Sequence, residues 1–128
     1  MKYYYNKTIN GEFDSTIEKV KESLKKEGFG VLTEIDFSGT IKKKLNKDMP
    51  AYRILGACNP EFAYQAYQAE DKIGTMLPCN VIVQEIGDGQ IEVSAVNPIA
   101  SMMGIENEKL AVTADIVKSR LEQVINSL

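Results

Sequence analysis

The stretch NVIVQEIGDGQIEVSAVN, Asn80 to Asn97, sets the frame for the whole chain. Asn80 to Ile86 and Gln90 to Asn97 are both rich in β-branched residues, and Gly87-Asp88-Gly89 between them supplies the residues of a tight turn. The expectation is an antiparallel hairpin, and the rest of the chain can be read outward from it.

On the amino-terminal side, Asn59 caps a helix whose first turn holds Pro60, where a missing N–H costs nothing. Its stripe is Phe62, Ala66, Ala69 and Ile73, joined by Ala63 and Tyr67, and Gly74 is expected to close it. Before it, AYRILGAC, Ala51 to Cys58, is a compact apolar strand candidate ahead of which Pro50 ends a connection. TIKKKLNK is expected to form a short helix, basic outside, with Ile41 and Leu45 turned inward. FGVLTEIDF, Phe29 to Phe37, alternates, with Val31, Thr33, Ile35 and Phe37 on one side and Leu32, Glu34 and Asp36 on the other, as a strand does. Further back, Phe13, Ile17, Val20 and Leu24 recur at helical spacing, Ser15 with Glu18 reads as a capping box, and Gly28 stops the helix. Tyr3 to Ile9 is a first strand that ends at Asn10-Gly11. Beyond the hairpin, IASMMG makes a short turn or helix. Asn107 then caps a long helix with its stripe at Leu110, Ala114, Val117, Leu121, Val124 and Leu128.

The predicted architecture is a single α+β domain over residues 1–128, in the order β-α-β-α-β-α-β-β-α, with a mixed sheet and helices packed on one face. The other face would then be bare. Tyr3, Tyr5, Val31, Ile35 and Phe37 are too apolar to leave in water, so a partner chain, most simply a second copy, is expected to cover it.

Composition narrows the function classes. The chain of 128 residues is 44% hydrophobic with a net charge of -3, and it lacks the basic face that nucleic acid or an anionic membrane requires. No segment reaches the roughly twenty apolar residues of a membrane span, and MKYYYNKTINGEF does not read as a signal peptide. The expected compartment is the cytoplasm, where the two cysteines stay thiols. Histidine is absent, which removes Ser-His and Cys-His catalytic pairs and the commonest transition-metal ligand.

Three blocks, GFGVLTEIDF (Gly28 to Phe37), YRILGACNP (Tyr52 to Pro60) and MLPCNVIV (Met76 to Val83), together resemble the domain of unknown function 302 family, over nearly the whole chain. The resemblance implies a small α+β fold found mostly in bacteria and archaea, with no established activity. Members of that family characteristically carry both cysteine blocks, here Cys58-Asn59 and Cys79-Asn80.

The candidate sites are three. Tyr52, Cys58, Asn59, Cys79 and Asn80 are candidates to line a small-ligand pocket, in an interaction domain expected to be a homodimer without a cofactor or resident metal. The alternative is thiol redox or sulfur handling, with Cys58 attacking and Cys79 resolving. The helix start at Asn59-Pro60 would favour the Cys58 thiolate. That reading requires both thiols at one end of the sheet. A parallel crossover would instead hold them about a strand length apart, and both arrangements fit the linker from Ile73 to Asn80. A metal site would need a second copy's cysteines or soft sulfur from Met76, Met102 or Met103, a set matched to Cu(I). The weaker candidates are an anion site at Ser38, Thr40 and Lys42, within FSGTIKKK, and a carboxylate set of Glu34, Asp36 and Glu61 with Tyr52 and Arg53.

Overall fold

The computed structural model describes residues 1–128, Met1 to Leu128. The strands are β1 (Tyr4–Asn10), β2 (Gly30–Asp36), β3 (Tyr52–Cys58), β4 (Cys79–Gly87) and β5 (Gln90–Val96). The helices are α1 (Phe13–Lys26), α2 (Phe37–Leu45), α3 (Pro60–Ala69), α4 (Pro98–Ser101) and α5 (Glu108–Asn126), with a 3-10 turn at Asp71–Met76. The α+β class and the order of elements agree with the sequence pattern.

The five strands lie in the order β1-β5-β4-β3-β2, and every neighbouring pair is antiparallel. The expected mixed sheet is corrected here. After α3, the 3-10 turn and Leu77-Pro78 carry the chain back to the end of the sheet where β3 finished, so β4 runs against β3. The hairpin of β4 and β5 has only Asp88 and Gly89 at its tip, since Gly87 already pairs with Gln90. Gly89 takes the positive φ of +70° that such a turn demands.

α1 and α5 cover one face. Ile17, Val20 and Leu24 from α1 and Val117, Leu121 and Val124 from α5 pack on Leu55, Val81, Val83, Ile91, Val93 and Ala95 of the sheet. The register gives this face a row running Glu34, Leu55, Val81, Ala95, Tyr5 from β2 across to β1. The next row, on the opposite face, runs Ile35, Ile54, Ile82, Ser94, Asn6.

Several local expectations shift. A bulge between Val31 and Thr33 moves Val31 to the helix-covered face and leaves Thr33 and Ile35 on the open one, because the unpaired Leu32 breaks the period of two. Tyr5 also packs against the core rather than on the open face. The Ser15–Glu18 capping box does not form. The N-cap is Glu12, and the Ser15 and Thr16 hydroxyls donate to its carbonyl instead. Leu45 is exposed, because α2 buries no residue and sits at the end of the sheet rather than on its face. α3 closes at Ala69, and Ile73 reaches the core from the 3-10 turn. No helix is long and apolar enough to cross a membrane.

Candidate functional site

Antiparallel pairing of β3 with β4 settles where the cysteine blocks sit. Ala57 is the direct partner of Cys79, so Cys58, the last residue of β3, lies at the same end of the sheet as Cys79, the first of β4. Both thiols are free. They line one apolar cavity of about 40 Å³ between the end of the sheet, α3 and α5, with Phe29, Phe62, Leu77 and Met102. A drug-sized organic ligand requires roughly 300–1,000 Å³, so this space is far too small for one.

The electrostatics there disfavour thiolates. Burial pushes the Cys58 thiol up from its ordinary value. Cys79 is pushed up to about 11 by burial and then by the nearby Cys58. Both thiols are therefore protonated at neutral pH, despite the helix start beside Cys58, so neither is a ready nucleophile.

The asparagines of the two blocks part company. The Asn59 side-chain oxygen accepts from the Phe62 N–H at 3.3 Å, capping α3. Its amide also fills the space beside Gly28, where a Cβ would lie 2.7 Å from Nδ2 and φ is +86°. Asn80 points to the other face of the sheet, where it pairs across from Gly56. A Cβ on Gly56 would meet the Thr33 hydroxyl and the Pro78 ring at 2.2 and 2.7 Å, so the glycine in GACNP lets β2 and the entry to β4 close over β3.

Tyr52 and Asn80 belong to a second, larger space. A groove of about 370 Å³ on the open face is lined by Tyr3, Tyr4, Tyr52, Asn80, Ile82 and Gln84, with Glu92, Ser94, Ala95 and Val96 behind them. The five residues expected to line one pocket are thus divided. Cys58, Asn59 and Cys79 meet at the internal cavity, while Tyr52 and Asn80 face the open groove. Tyr4 and Glu92 were not singled out from the sequence, and Tyr3 was named only among the apolar residues of the bare face. The only available signal was the polar-apolar alternation of the two edge-side strands, which does not say which of their faces is left uncovered.

The carboxylates and the basic loop are engaged elsewhere. Hydrogen bonds from Lys21 and then Arg53 hold the Glu34 carboxyl below its ordinary range, at 2.8 and 2.6 Å. Asp36 caps α2 by accepting from the Gly39 N–H at 3.0 Å. That carboxylate occupies the helix start where Ser38 and Thr40 had been expected to receive an anion, and Lys42 pairs with Asp48 at 2.9 Å. Glu61 lies exposed in the first turn of α3, away from Glu34 and Asp36. No group of three or more His, Cys, Asp or Glu side chains forms a metal cluster.

Against known proteins, the family model described as domain of unknown function DUF302 matches residues 5–128. The crystal structure of an uncharacterised conserved DUF302 protein from Bacillus stearothermophilus superposes with a TM-score of 0.91 at 25% identity, covering 98% of each chain. Comparison with curated proteins finds no match. Fold, element order and family model agree along the sequence, and the chain belongs to the DUF302 family.

Proposed function

We propose that this chain is a binding and interaction domain of the reducing cytoplasm, whose working surface is the open face of the sheet and whose first partner there is a second copy of itself. The observation that carries this is the row Ile35, Ile54, Ile82, which no helix covers. Ile35 is 47% exposed at one edge of the sheet, and Tyr3, by β1 at the other edge, is 70% exposed. Strands about 4.8 Å apart, with residues rising about 3.3 Å each, give five strands of about seven residues a face of roughly 500 Å² in projection. Side-chain relief raises that toward the roughly 800 Å² per partner of a standard interface. Charge fits as well. The face carries a single carboxylate, Glu92, held by the Asn6 amide at 2.8 Å, while Lys2 stands at its rim over the Tyr4 ring. An isologous pairing can set these opposite charges against each other. The groove at Tyr52 and Asn80 would then be roofed by the second copy, which suits a small ligand held between the two.

Thiol redox at Cys58 and Cys79 has their shared sheet end in its favour and their raised pKa values against it. Light scattering at micromolar concentration tests the self-association. The parent protein is expected at twice the chain mass, and Ile82→Glu, which buries like charges at the centre of the pairing, at the single-chain mass with unchanged circular dichroism. A parent that stays a single chain up to millimolar concentration would overturn the proposal.

A further inference from the structure

The groove on the open face, about 370 Å³, falls within the roughly 300–1,000 Å³ of small-molecule sites. The register sets its lining on one face of the sheet. Tyr52 pairs with Gln84 and Gln84 with Glu92, so these three side chains stand in one row across β3, β4 and β5. The next row on that face holds Ile82 beside Ser94, and the row beyond it holds Val96 beside Tyr4. Two polar groups of this lining are left unsatisfied. Glu92 is the only charged residue among the ten that line the groove. The Asn6 amide donates to one of its oxygens at 2.8 Å, and the other accepts nothing from the chain. Ser94 is only 6% exposed, yet its hydroxyl faces the groove from the floor without a hydrogen-bond partner. Buried hydroxyls are normally bonded, so this one calls for a polar partner from outside the chain.

We propose that this groove binds an organic ammonium ion with an apolar body, a ligand class that rests on the open face being the working surface proposed above. Tyr52 and Glu92 lie two strands apart, about 10 Å between backbones, with Gln84 between them. An ammonium group above Gln84 then meets a tyrosine ring, an amide oxygen and a carboxylate oxygen together. A cation is attracted to such a ring within about 6 Å of its centroid. Phe37 packs on Tyr52 with ring centroids 5.0 Å apart, which holds that wall in place.

The chain itself shows the same preference at the far end of the groove, where the Lys2 ammonium stands 5.2 Å from the centroid of the Tyr4 ring. Between the two ends, Ile82 and Val96 offer aliphatic surface and Tyr3 and Tyr4 aromatic surface to the apolar body of the ligand. Selectivity follows from charge. No lysine or arginine lines the groove, so a phosphate or carboxylate ligand would find Glu92 opposing it and no cation to receive it.

The test is isothermal titration calorimetry of the full-length protein with phenethylamine, its neutral counterpart phenethyl alcohol and the anion hydrocinnamate. The amine is expected to bind saturably and about tenfold tighter than the alcohol, and the anion not at all. Glu92→Gln keeps an acceptor for the Asn6 amide and removes the charge. It should cost the amine about tenfold, as loss of a hydrogen bond to a charged group does, and leave the alcohol unchanged. Tyr52→Leu should cost the amine about fivefold through the lost ring contact. Glu61→Gln makes the same charge change in the first turn of α3, outside the groove, and should cost nothing. Circular dichroism checks that each variant keeps the parent's fold. Equal affinity for amine and alcohol, no saturable amine binding, or equal losses in Glu92→Gln and Glu61→Gln would each overturn the site. Light scattering of the same samples separates the site from the pairing. A pair that binds no amine overturns the site alone, and a single chain that binds the amine overturns the pairing alone.

Discussion

Leu55 and Ile54 are neighbours in β3, alike in size and apolarity, yet they lie in different environments. Leu55 is fully buried in the row Glu34, Leu55, Val81, Ala95, Tyr5 under α1 and α5, whereas Ile54 lies in the row Ile35, Ile54, Ile82, Ser94, Asn6 on the face that α1 and α5 do not cover. The two rows are one residue apart along the strand. The covered row holds the domain together by excluding water from branched side chains; in the function proposed above, the open row offers its apolar surface to a second copy.

The strongest way to break this contrast is truncation on each side. Leu55→Ala leaves a cavity in a close-packed core and is expected to cost about 3–4 kcal/mol in urea unfolding. Ile54→Ala should cost about 1 kcal/mol in a dissociated chain and progressively more as protein concentration rises, because association stabilises by mass action. Equal costs at every concentration would show that the two faces are not different in kind.

A middle-sized effect is expected at Gly56, where the open face is tightly packed. Thr33 and Pro78 close over it, so Gly56→Ala must displace a hydroxyl or a proline ring and is expected to cost about 1–3 kcal/mol. If it costs nothing, the β2–β3–β4 closure is looser than its geometry and the open face is soft throughout. Differential scanning calorimetry reads the change directly.

The smallest effect sharpens the edge of the covered face, where Glu34 ties β2 to Lys21 of α1 and to Arg53 of β3. The folded pKa of Glu34 is depressed below its ordinary 4.5, so its contribution is present above that value and is lost as pH falls through the lower folded pKa. The carboxylate is partly exposed, which limits the contribution to below about 1 kcal/mol. Glu34→Gln should therefore lower stability slightly at neutral pH and converge with the parent at acid pH, in unfolding curves taken between the two. An unchanged gap across that range would remove the ion pair from the account.

Much of the fold was legible because local physics and tertiary context agree. Asn59-Pro60 and Asn107 start α3 and α5 as their capping chemistry says, and Gly28 ends α1 at a positive φ that only glycine takes easily. The stripes Ile17, Val20, Leu24 and Leu110, Ala114, Val117, Leu121, Val124 are buried as their period requires. Where the pattern misled, a non-local contact had intervened. Leu32 is expelled as a bulge only because Val31 and Thr33 register against Ala57 and Gly56 on another strand, and Leu45 is exposed because α2 lies off the sheet face.

The candidate site was less legible for the same reason. The repeated Cys-Asn pair drew attention to the right end of the sheet, but adjacency in sequence does not say which face a side chain takes. The sequence by itself determined the elements, their order, the buried stripes and the scarcity of catalytic groups, since each depends on periodicity, turn chemistry or composition. Only the tertiary structure decided that β3 and β4 run antiparallel, that Cys58, Cys79 and Met102 share a cavity while Tyr52 and Asn80 face away from it, and which apolar row is left open. Strand direction and face depend on hydrogen bonds and contacts between residues far apart in the chain, and a one-residue shift in register reverses them.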